Sequence, residues 1–90
     1  MEDKLREIII QKINDTLSNV DEIQNITNSL GESSHQTIDF SYGVVIGRLY
    51  NSFYYQCRRI LKRSPTEKEF FEFLEILKQK ESEIKEKINF

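Results

Sequence analysis

The chain's one proline, Pro65, sits in the tetrapeptide Ser64-Pro65-Thr66-Glu67, and no other stretch limits the fold as sharply. Proline has no amide hydrogen, fixes φ and drives the residue before it out of the α region. It is well suited, however, to the first position of a helix. With Ser64 as N-cap and Glu67 three residues on, the stretch reads as a capping box. One helix has to stop and another has to start here, across a very short connection.

Hydrophobic periodicity supplies helices on both sides of that break. Over residues 2–30, Leu5, Ile8, Ile9, Ile13, Leu17, Val20, Ile23, Ile26 and Leu30 recur at steps of three and four, with Ile10 off the edge of the stripe. Glu2 and Asp3 suit the positive end of the helix dipole. Gly31 reads as a C-terminal stop, because glycine accepts the left-handed conformation. Asn14, Asn19, Asn25 and Asn28 are weak helix formers, so packing has to hold this helix. Residues 31–37 read as a loop in which Ser33, Ser34 or Thr37 caps the next helix, unless Asp39 does. A second helix runs over about 38–63. A third runs over 65–88, with Phe70, Phe73, Leu74, Leu77, Ile84 and Ile88 on one stripe and Phe71 and Ile76 outside it. Beyond Leu77 apolar residues thin out, so this tail is expected to fray or to extend along a partner. Pairs such as Glu81–Lys85 and Glu83–Lys87 suit an exposed helix. No strand-like alternation and no repeat is present. The expected fold is all-α, one domain over residues 1–90. Its three long amphipathic helices form an up-down-up bundle or interlock in a dimer.

The second helix carries the information about function. Residues 38–63 hold all four tyrosines, two of the three glycines and the only cysteine. One face, Ile38, Tyr42, Val45, Leu49, Phe53 and Ile60, has core spacing, with Cys57 on its margin. A second face, Gly43, Gly47, Tyr50 and Tyr54, extended by Leu61, is not needed by a helix packed on one side. Glycine costs roughly 1 kcal/mol against alanine in a helix interior, so two on one face imply a close approach by another backbone. That backbone is either another helix of this chain or the same helix of a second subunit. A third face carries Arg48, Tyr55, Arg59 and Lys62, with Arg58 and Arg63 beside it.

Charge sharpens this picture. The net charge is −2, yet residues 40–63 contain five bases and no acid, whereas residues 1–30 contain six acids and three bases. Arginines that contact phosphates and tyrosines that stack on bases would make the third face a nucleic-acid surface. The competing explanation is that the acid-rich helices on either side pair with it.

Catalysis finds little support. His35 is the only histidine and lies in the polar loop. Cys57 reads as a small inert hydrophobe, although Arg58 and Arg59 are near enough in sequence to lower its pKa. Tyr42, Tyr50 and Tyr54 with Arg48 would be the components of a polar pocket, if the fold brought them together. No spacing suggests a metal, no glycine-rich loop suggests a cofactor, and no apolar run approaches the ~20 residues of a membrane span. The 38% hydrophobic and 31% charged composition suits a globular or coiled-coil protein, and a signal peptide is not evident. The expectation is a cytoplasmic, non-enzymatic interaction module forming a homodimer or binding a partner helix through Gly43, Gly47, Tyr50, Tyr54 and Leu61. The alternative is a DNA- or RNA-binding regulator.

Overall fold

The helix expected over residues 2–30 is interrupted at one residue. A computed structural model describes residues 1–31 and 37–90. In it, Asn19 takes φ −129° and ψ 48° and separates α1 (Asp3–Ser18) from α2 (Val20–Leu30). Asparagine side chains compete with the helix for backbone hydrogen bonds. Just before it, the Ser18 hydroxyl donates to the Asn14 carbonyl at 2.9 Å, a back-bond that bends helices. Asp21 and Glu22 then place negative charge in the first turn of α2. With α3 (Thr37–Leu61) and α4 (Glu67–Lys87), four helices replace the expected three, and no strand occurs among the described residues. Ser33, Ser34 and His35 lie outside those residues.

The turn between α3 and α4 is also shifted. α3 ends at Leu61, and Lys62 adopts φ 60°, the left-handed region. The N-cap of α4 is Thr66 instead of Ser64. Its Oγ1 accepts from the Glu69 amide at 3.1 Å, while Glu69 Oε1 accepts from the Thr66 amide at 2.8 Å. Thr66 and Glu69 repeat the same three-residue capping spacing two positions on, which leaves Pro65 in the turn. Arg63 closes the corner, donating to Glu69 at 2.7 and 3.1 Å and to the Ser64 carbonyl at 3.1 Å.

As the position on α3 steps back from Phe53 to Tyr42, its partner on α4 advances from Phe73 to Lys85, so the two helices are antiparallel. The pairs Glu22–Arg48 and Thr27–Ser41 show the same for α2 and α3. The order is up, down, up, with α1 and α2 forming the first, kinked limb. The core joins Leu5, Ile9, Ile13 and Leu17 of α1 and Ile23 of α2 to Val45, Leu49, Phe53 and Cys57 of α3. From α4 it takes Phe73, Ile76, Leu77 and Ile84, with Ile88 just beyond. Phe53 and Phe73 stack in its middle, centroids 4.3 Å apart and planes 2° from parallel.

Three expectations about this core need correction. Ile76 is buried while Phe70 and Leu74 are only half-buried, so α4 is rotated towards Ile76. Leu30 is 68% exposed. The α4 tail does not fray, because Ile84 and Ile88 are buried and one apolar residue per turn is enough to dock it. Of its expected pairs Lys85–Glu81 forms at 2.9 Å, while Glu83 meets Lys80 instead.

α2 and α3 meet tightly through small residues, away from the glycines of α3. Thr27 and Ser41 are buried with hydroxyls 2.7 Å apart, each also within 2.9 Å of the carbonyl four residues before it. Two hydroxyl protons thus serve three contacts. Gly31 completes this seam through space, not through backbone freedom: its φ is −89°, open to any residue. A β-carbon there would lie 2.6 Å from the Thr27 carbonyl oxygen and 3.3 Å from Phe40. Gly31→Ala should therefore destabilise by about 1–3 kcal/mol, read as a lower urea midpoint with an unchanged m-value.

Candidate functional site

α3 packs against α1 and α2 on one side and α4 on the other, which leaves an outward arc along its length. On that arc Gly43 and Gly47 are exposed, and a β-carbon added to either would meet nothing within 4 Å among the described residues. None of the described helices crosses there, so the intrachain explanation for these glycines finds no partner among the described residues.

One turn further along, the same face becomes aromatic. Tyr50 is 45% exposed and meets Tyr54 edge-on, with centroids 6.3 Å apart. Its other neighbour is Phe70 at 6.0 Å, again edge-on, and Phe70 lies 5.9 Å from Phe71, which is 55% exposed. Four rings thus form a continuous row from α3 onto α4. Edge-to-face pairs of this kind contribute about 0.5–1.5 kcal/mol beyond area burial. Leu61, in contrast, is half-buried against the subunit's own core and does not extend the exposed face. The sequence reading missed Phe70 and Phe71 as members of the row. The available signal was Phe71, which falls off the core stripe of its helix. The chain exposes 5946 Å², against about 5500 Å² for a typical monomer of its 10.8 kDa mass.

The basic face is split by its partners. Arg48 donates both ways to the Glu22 carboxylate at 3.1 and 3.2 Å, and Arg63 is held by Glu69. Acid-rich neighbours thus pair with its two ends, as the competing explanation required. Between them, Arg58 lies over the Tyr54 ring at 6.0 Å and Arg59 donates to the Gln56 side chain at 2.9 Å. No ion pair joins Arg58, Arg59 or Lys62 to a carboxylate among the described residues. Tyr55, between these cations, is 61% exposed.

Of the components of a polar pocket, Arg48, Tyr50 and Tyr54 line one open surface depression and Tyr42 lies apart from it. Arg48 turns to α2, Tyr42 turns to Lys85 of α4 at 5.2 Å, and Tyr50 faces outward. Burial, reinforced by Glu69, pushes the Cys57 thiol up to about 11, against the lowering effect of Arg63. The thiol is protonated at neutral pH and packs as a hydrophobe. No cluster of metal-ligating side chains occurs among the described residues, and none of the described helices is long and apolar enough to cross a membrane. No protein-family model, curated protein or solved structure matches the chain.

Proposed function

We propose that this chain is a small cytoplasmic interaction module that self-associates through α3, using Gly43, Gly47, Tyr50 and Tyr54 together with Phe70 and Phe71 of α4. One observation carries the reading: two solvent-facing glycines stand inside a 25-residue helix and lead directly into an exposed aromatic row. Each glycine costs about 1 kcal/mol in helix propensity, and nothing among the described residues requires either. A second α3 laid across them would approach closely, and the ring edges would lie beside it. Aromatic anchors at the centre of a small patch are the usual energetic focus of an interface. The lone, buried, reduced cysteine suits a reducing compartment.

Light scattering behind a sizing column tests this. The wild type should run at twice 10.8 kDa at tens of micromolar. Gly47→Leu should return the mass to that of a single chain, weakening association at least tenfold, with helicity by circular dichroism unchanged. Because an added side chain at Gly47 meets open space in the subunit, loss of helicity together with loss of mass would count against the interface. A wild type that stays monomeric at several hundred micromolar would remove the proposal.

A further inference from the structure

The outward side of α3 next to the glycine–tyrosine face carries a second surface, independent of self-association. Its lining runs from Lys12 of α1 past Arg48, Asn51, Ser52 and Tyr55 to Arg58, and contains no carboxylate. Arg59 and Lys62 continue it towards the end of the helix, both exposed. In a chain of net charge −2, such a segregation of cations is not a product of composition. It is also not used up internally. Arg58, Arg59 and Lys62 have no ion-pair partner among the described residues. Arg48 shares only an exposed pair with Glu22, both side chains being about half exposed, and such pairs contribute about 0–1 kcal/mol. Phosphate could therefore compete for Arg48.

We propose that this surface binds single-stranded nucleic acid. Cations alone would suit any polyanion, but here Tyr55 is 61% exposed among them, and Tyr50 and Tyr54, at the adjoining edge, belong to the self-association face. Cationic tracks interleaved with aromatic platforms hold a strand by its phosphates and stack its unpaired bases. Duplex recognition fits less well. Bases paired in a duplex are already stacked on one another and leave Tyr55 no free base face to stack on.

The test is fluorescence anisotropy of the full chain with a labelled 20-nucleotide oligothymidine at 50 and 200 mM NaCl. Binding should weaken about 20- to 50-fold over that range if three to four phosphates are neutralised. The double variant Arg58→Glu, Arg59→Glu should weaken it at least a hundredfold. Tyr55→Ala should weaken it at least fivefold, and Tyr55→Phe, which keeps the stacking ring, should bind like the wild type. Parallel titrations use a duplex of the same length, vesicles containing phosphatidylserine, and polyglutamate. Equal or tighter binding of any of these would overturn the assignment, as would no binding of oligothymidine at 50 mM NaCl or a Tyr55→Ala variant without effect. Gly47→Leu, which blocks self-association, should still bind the oligonucleotide, so the two proposals fail separately.

Discussion

Phe53→Ala is expected to remove a large part of the stability of this protein. The ring is fully buried and stacked on Phe73 at 4.3 Å, and truncating a buried phenylalanine costs about 3–5 kcal/mol. A 90-residue chain has on the order of 5–13 kcal/mol in total. The midpoint of thermal unfolding should fall by roughly 15–30 °C, with much of the near-ultraviolet signal lost. Phe73→Ala should cost about as much. The double variant should cost less than the two together by about 1 kcal/mol, because the stacking between them can be lost only once. Strict additivity would mean that the two rings fill space independently. Phe53 lies on α3 roughly 100° round from the open glycines and is fully buried, so the same series reports chiefly on the core.

Glu69→Gln should give the next largest effect, and a pH-dependent one. The hydrogen bond from Arg63 foremost, helped by those from Thr66, holds the Glu69 carboxyl down at about 2, in spite of the opposing effect of burial. A carboxyl whose folded pKa lies below its ordinary value of 4.5 adds stability that is fully present above that value. The contribution disappears as pH falls through about 2. Discounted for the solvent that reaches the Arg63 side, it is about 2 kcal/mol. Glutamine keeps an acceptor for the Thr66 amide but loses the charge. Urea unfolding should therefore separate wild type and variant by about 2 kcal/mol at pH 7, less at pH 3.5, and hardly at all near pH 2. A gap that persists at pH 2 would show that the neutral cap, not the ion pair, stabilises this corner.

The helices and most of the core were legible in the sequence because burial writes itself as a period of three and four. Leu5, Ile9, Ile13, Val45, Leu49, Phe53 and Phe73 are where that pattern predicts. Local chemistry was less legible. The break at Asn19 rests on one residue's dihedral angles, and the weak helix formers around it were visible without fixing where the limb bends. The capping box was offset because both Ser64 and Thr66 are followed by a glutamate at the third position, and only the turn geometry chooses between them. The seam of Thr27, Gly31 and Ser41 was missed because small polar residues have no periodic signature, so the close crossing was sought at Gly43 and Gly47. Whether an arginine pairs at home is also invisible in sequence: Arg48 and Arg63 do so with residues 26 and 6 positions away.

The angular position of the glycines next to the cationic arc has a consequence that is one of symmetry. Consider two α3 helices pressed together at Gly43 and Gly47. If they run antiparallel, the two-fold axis stands perpendicular to the plane containing them and returns every outward group to the same side. Both cationic arcs would then form one surface of doubled length. If they run parallel, the axis lies along the helices and sends the arcs to opposite sides of the pair. The direction of a single helix crossing would thus decide between one long anionic-ligand track and two separate short ones.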